Sequence, residues 1–160
     1  MSQHSTLSLV IPAKNEQENI AKLLTEAFNV MRDYPGFEVV LVDDGSSDQT
    51  LATARRTAEA LGGRLLAVRH EQSIGQSGAL ATGILRATGQ LIVTMDGDGQ
   101  NPPYEVKKLI KFWSSLPKER KKKFLICGNR INRQDTLTKR ISSLIANRVR
   151  KFFLNELFNC

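Results

Sequence analysis

Apolar residues fall along this chain in short, near-continuous runs separated by longer stretches of mixed character. Five runs are rich in β-branched and aliphatic side chains: 7–12 (LSLVIP), 37–44 (FEVVLVDD), 64–70 (RLLAVRH), 91–96 (LIVTMD) and 123–129 (KFLICGN). These read as strands buried on both faces. The stretch ENIAKLLTEAFNVM instead has helical period, with Ile20, Leu23, Leu24, Ala27 and Phe28 on one face. Strands of this kind alternating with amphipathic helices predict an α/β domain, its mostly parallel central sheet covered by helices on both faces. At 160 residues the chain is about one domain long, and no repeat or linker divides it.

Ligands of such sheets bind beyond the carboxyl ends of the strands, where loops and helix N-termini converge. Three of these ends are chemically unusual: IPAKNE after the first strand, VDDGSSDQT after the second and MDGDGQNPP after the fourth. At the second end, Ser47 or Asp48 suits the cap of a following helix, but capping does not explain the adjacent carboxylates of Asp43 and Asp44. Carboxylates there can accept hydrogen bonds from a base N–H or from ribose hydroxyls, and turn chemistry accounts for them too. At the fourth end, Asp96 and Asp98 stand at i and i+2 of an extended segment and so face one locus. Gln100 continues that register if the chain stays extended. Two like charges so close call for a cation between them, and the oxygen donors suit Mg²⁺ or Mn²⁺. A solvated acidic turn, with Gly97 and Gly99 supplying backbone freedom, is the competing explanation.

Charge alters the picture for the second half. Residues 1–104 carry 8 Lys/Arg against 12 Asp/Glu, and residues 105–160 carry 15 against 4. A basic segment of this kind can meet nucleic acid, anionic lipid or phosphate, although KERKKK alone reads equally as a solvated loop. Within it, TLTKRISSLIANRVRKFFL predicts a basic amphipathic helix suited either to a core or to a membrane interface. The two cysteines, Cys127 and Cys160, form no CxxC pair and suggest reduced thiols in a cytosolic setting. No apolar run reaches the roughly 20 residues that span a bilayer, and the first residues do not resemble a signal peptide. Phosphate loops of the GxxxxGK[ST] kind and GxGxxG fingerprints are absent, which argues against ordinary P-loop and dinucleotide enzymes.

The motifs VIPAKNEQENI, VVLVDDGSSDQT, GALATGILRATGQLIVTMDGDGQNPP and GNR, in that order, resemble family 2 glycosyltransferases of the GT-A fold. Within that family the chain looks most like the polyprenyl-phosphate sugar synthases of the dolichyl-phosphate mannose synthase type. The resemblance implies a metal-dependent, inverting transfer of a hexose from a GDP- or UDP-linked sugar to a polyprenyl phosphate, at the cytoplasmic face of a membrane. It leaves no role for nucleic acid. A polysaccharide, protein or glycolipid acceptor is the alternative, as is a nucleotide-binding fragment without transfer activity.

By position, the resemblance implies that Pro12, Ala13 and Glu16 line the nucleoside pocket while Asp43 and Asp44 contact base and ribose. Gly75 and Gly78 would let backbone approach the donor. Asp96, Asp98 and Gln100 would hold Mn²⁺ or Mg²⁺ at the diphosphate, and Arg130 and Arg140 would bind the acceptor phosphate. Gln72, Gln76 and Ser77 depart from the Asn and Lys-Gly expected in that loop. The resemblance further divides the domain into a nucleotide-sugar half, 7–104, and a basic half facing acceptor and membrane, 105–160. Relatives of this type continue further, so a C-terminal truncation is expected.

Overall fold

The computed structural model describes residues 6–34 and 36–117. Four strands, β1 (Leu7–Ala13), β2 (Phe37–Asp43), β3 (Leu65–Arg69) and β4 (Leu91–Thr94), alternate with four helices, α1 (Ile20–Val30), α2 (Thr50–Leu61), α3 (Gln76–Arg86) and α4 (Tyr104–Ser115). The strands form one parallel sheet in the order β3-β2-β1-β4. The expected strand at 123–129 and the basic amphipathic helix lie outside the described residues.

Strand β1 is buried along its whole length, as its near-continuous apolar run, interrupted by Ser8, requires. Its side chains alternate between two layers. Leu7, Leu9 and Ile11 face α1, α2 and α4 and pack with Leu24, Ala54 and Val106, whereas Val10 joins Val40, Val42 and Ala79 of α3 on the other side. The predicted face of α1 is the buried one, and the partly buried Phe28 meets Phe37 edge-on with ring centroids 5.9 Å apart. Each large aliphatic side chain buried this way contributes about 1.5–3 kcal/mol relative to exposure. Among the described residues β3 and β4 are the sheet edges, and Leu66 and Ile92 on them are exposed.

A polar latch joins the amino ends of the strands. Buried Glu38 accepts hydrogen bonds from the Ser8 hydroxyl (2.6 Å) and from the amide and hydroxyl of Thr88 (2.8 Å each), with Nε of Arg64 3.4 Å from its second oxygen. Ser8 Oγ in turn accepts from the Gly89 amide at 2.8 Å. Burial opposes the Glu38 charge, but Ser8, Thr88 and Arg64 outweigh it and hold the pKa below the ordinary glutamate value.

At the other end the topology places the site. Strand β1 is followed by β2 on one side, and the chain returns through α3 to lay β4 on the other side. The connections therefore diverge between β1 and β4, which opens a crevice at their carboxyl ends.

Candidate active site

A cleft of about 500 Å³ occupies that crevice. Pro12, Ala13, Lys14 and Glu16 line it from the end of β1, Asp44 from β2, Ser73, Gly75, Gln76 and Ala79 from the α3 entry, and Asp96, Gly97 and Asp98 from β4. Of the residues singled out in the sequence, Pro12, Ala13, Glu16, Asp44, Gly75, Asp96 and Asp98 are thus brought together. Asp43, Gly78 and Gln100 are not on the lining. Arg130 and Arg140 lie outside the described residues.

The β1 and β2 loops are laced to each other. Asn15, the one non-glycine residue at positive φ among those described, takes φ 56°; its amide donates to Ser46 Oγ (2.9 Å) and its side-chain oxygen accepts the Ser47 amide (2.9 Å). The Glu16 amide donates to Thr50 Oγ1 at 2.8 Å. Asp48 accepts the Thr50 amide at 2.9 Å and the Gln17 amide at 3.2 Å, so it serves the start of α2 while Ser47 turns to Asn15 instead. The lacing fixes the β1 loop against the cleft.

Asp44 accepts four hydrogen bonds. Its Oδ1 takes His70 Nδ1 (2.8 Å) and the Ile74 amide (2.9 Å), and its Oδ2 takes the Ser73 hydroxyl (2.6 Å) and the Gly75 amide (2.9 Å). Facing a carboxylate, Nδ1 of His70 carries the proton, and Nε2 meets Thr82 Oγ1 at 3.0 Å. Burial works against the Asp44 charge, yet His70, Ser73 and the two amides overcome it and hold the pKa far below the ordinary aspartate value. Four donors fill the acceptor positions of this carboxylate, so Asp44 anchors the 73–75 segment over the end of β2. The partners His70 and Ser73 carried no signal in the sequence, because their distance from Asp44 along the chain has no period.

Asp43 lies beneath. Its Oδ1 accepts the Ser46 amide at 2.9 Å; its Oδ2 is buried, has no hydrogen bond among the described residues and sits 3.6 Å from Nε of Arg69.

The fourth strand end departs from the extended reading. Pairing of β4 stops at Thr94, Gly97 and Asp98 form a turn, and Gly99 takes φ 71°. The Gln100 amide folds back to Asp98 Oδ1 at 3.0 Å. Gln100 therefore does not continue the register of Asp96 and Asp98, and its side chain is exposed. Gly97 explains the change of direction, since a Cβ there would lie 2.9 Å from the Pro12 carbonyl oxygen. Only glycine lets this loop close on the end of β1. A Cβ on Gly78 would meet the exposed Ile74 side chain at 2.8 Å.

The lining has four carboxylates, Glu16, Asp44, Asp96 and Asp98, and one cation, Lys14. An anionic ligand would be repelled by such a wall unless it arrived with positive charge. The oxygen donors of Asp96 and Asp98 fit a hard divalent ion. Among the described residues no group of three or more His, Cys, Asp or Glu side chains could hold a metal; Mg²⁺ typically takes one or two carboxylates and completes its shell with phosphate and water.

An acidic, glycine-bordered cleft at the switch point of a parallel sheet stands where open α/β domains bind their ligands. The chain belongs to glycosyl transferase family 2, whose sequence pattern matches residues 8–156. It is 40% identical over 147 residues to the dodecaprenyl-phosphate galacturonate synthase of Rhizobium johnstonii, spanning 91% of this chain and 42% of that protein. It is 37% identical over 148 residues to the undecaprenyl-phosphate 4-deoxy-4-formamido-L-arabinose transferase of Enterobacter sp. (strain 638), spanning 89% and 42%. The fold is similar to that of a Pyrobaculum calidifontis mannosyltransferase in complex with GDP-Man and Mn²⁺, with a TM-score of 0.63 and 29% identity over 72% of this chain and 34% of that one. It is also similar to S. aureus TarS in complex with UDP, with a TM-score of 0.58 and 26% identity over 68% and 32%. The fold is thus of the GT-A type. The chain spans about two fifths of the length of the two relatives described. No helix among the described residues is long and apolar enough to cross a membrane.

Proposed function

We propose that this chain binds the donor in a metal-dependent, inverting glycosyltransferase that moves a hexose from a nucleotide diphosphate sugar to a polyprenyl phosphate at the cytoplasmic face of a membrane. The observation that carries the reading is the joining of Asp96 and Asp98 with the β1 end and the Asp44-anchored segment around one cleft. Relatives named for dodecaprenyl-phosphate and undecaprenyl-phosphate chemistry support the acceptor class.

In this reading Pro12, Ala13 and Glu16 border the nucleoside. Asp44 borders the cleft with its acceptor positions already filled and so holds the 73–75 segment in place, while Asp43 lies behind it, its buried Oδ2 3.6 Å from Nε of Arg69, and supports the same strand end. Asp96 and Asp98 would hold Mn²⁺ or Mg²⁺, and the bound ion would stabilise negative charge developing on the departing diphosphate, with Gln100, off the cleft lining, left outside that set. A phosphate acceptor is already anionic near neutral pH, so its oxygen can attack without a general base. Arg130 and Arg140 are assigned to that phosphate.

Nucleoside diphosphate plus Mn²⁺ is expected to raise the melting temperature of the chain by several degrees. Ligand at 100 times its dissociation constant adds about 2.7 kcal/mol, and each kcal/mol is worth roughly 2–4 °C at this size. A thermal-shift panel of UDP, GDP and their sugars, with and without metal, reads both the pocket and its base preference. A folded sample that neither nucleotide stabilises would refute the donor site. Release of nucleoside diphosphate on adding polyprenyl phosphate tests the acceptor.

A further inference from the structure

The segment entering α3 touches both carboxylate centres of the cleft through adjacent residues. The Gly75 amide donates to Asp44 Oδ2 at 2.9 Å, and the Gln76 side-chain amide donates from Nε2 to Asp96 Oδ1 at 2.8 Å. Gly75, at φ 87°, turns the chain into α3 so that Gln76 becomes its first residue. The strand ends of β2 and β4 are thereby tied across the end of β1, which lies near neither in sequence. The Gln76 bond restricts rotation of the Asp96 carboxylate. Because the amide is neutral, it does so without cancelling the negative charge that a cation at Asp96 and Asp98 would need.

We infer that Gln76 is a positioning residue for a divalent cation, holding the Asp96 carboxylate in a fixed orientation beside Asp98 through a donor that carries no charge of its own. The inference rests on the reading of Asp96 as a metal ligand given above. It separates two properties that one residue supplies here, orientation and charge neutrality. Gln76→Ala removes both the bond and its constraint. Gln76→Lys can keep a donor to Asp96 but places a positive charge where the cation would sit, so it is expected to be the more damaging change. Gln76 is exposed, and neither substitution disturbs the core.

The test is Mn²⁺ titration of the chain in the presence of UDP or GDP, followed by calorimetry and by loss of the free Mn²⁺ spin-resonance signal. Melting of the ligand-free chain is measured alongside. Loss of a partner that orients a metal ligand typically costs about 10- to 100-fold in metal affinity. Gln76→Ala should weaken Mn²⁺ by about 10-fold, Gln76→Lys by more, and neither should change ligand-free melting appreciably. Wild-type Mn²⁺ affinity in both variants would overturn the inference while leaving the donor site standing. Equal weakening of metal-free nucleotide binding would also overturn it, because Gln76 would then be serving the nucleotide itself. Absence of Mn²⁺-dependent nucleotide binding in the unaltered chain would overturn the metal reading and this inference together.

Discussion

Asp44→Ala is expected to lower the melting temperature of the chain by roughly 6–12 °C, as follows from about 3 kcal/mol at this size, and to abolish nucleotide-dependent stabilisation. Four donors lose one carboxylate: the His70 ring, the Ser73 hydroxyl and the amides of Ile74 and Gly75. Hydrogen bonds to a charged group are worth about 1.5–3 kcal/mol each when intact. Solvent can reach the exposed 71–77 segment and repay much of that loss, which brings the net to about 3 kcal/mol. The same carboxylate sets an acid limb. Its native pKa lies below the unfolded value of about 3.9, so the contribution is full above roughly pH 5 and is lost progressively as pH falls toward the native pKa. Urea unfolding between pH 3 and 7 should therefore show a shallower acid limb in Asp44→Asn than in the parent. Parallel limbs would mean that Asp44 is not held ionised in the folded chain.

Asp98→Asn is expected to leave folding intact and to weaken Mn²⁺-dependent nucleotide binding by roughly 100-fold or more, above the range typical of groups outside the ligand shell. That factor corresponds to about 2.7 kcal/mol. Asparagine keeps an Oδ1 for the Gln100 amide, so the turn over 97–98 persists while one negative charge disappears. Isothermal titration with and without metal separates the two contributions. Metal-dependent affinity equal to that of the parent would remove Asp98 from the ligand set.

Strands β1 and β2 were legible because burial on both faces leaves little choice of side chain, whereas β3 and β4, partly exposed among the described residues, were legible from their apolar runs alone. The apolar runs at 7–12, 37–44, 64–70 and 91–96 became Leu7–Ala13, Phe37–Asp43, Leu65–Arg69 and Leu91–Thr94. The face of α1 followed from its period for the same reason. The fourth strand end was harder to read. DGDG is compatible with extension or with a turn, and what decides between them is the Pro12 carbonyl on a strand more than 80 residues earlier, against which only Gly97 fits. Asp44 poses a similar difficulty. Its aspartate pair stood out as a ligand site, but the donors that fill it come 26 to 31 residues later, from a loop without period.

The polar latch at the amino ends of the strands bears on the order in which the chain assembles. Ser8 and Glu38, which join β1 to β2, are 30 positions apart, whereas Gly89 reaches Ser8 across 81. Closing the longer loop costs only about 0.6 kcal/mol more per doubling of length, but the β1–β4 pairing also needs the α3 crossover in place. Among the described strands the β1–β2 pair is therefore expected to form before the β1–β4 pair. Hydrogen exchange should reveal this as faster exchange at the Met95 amide, which bonds to the Val10 carbonyl at 3.0 Å, than at amides within β2. A cleft bounded by the later of these two seams can open locally while β1 and β2 stay paired, and a ligand spanning β1 and β4 would act there as a staple.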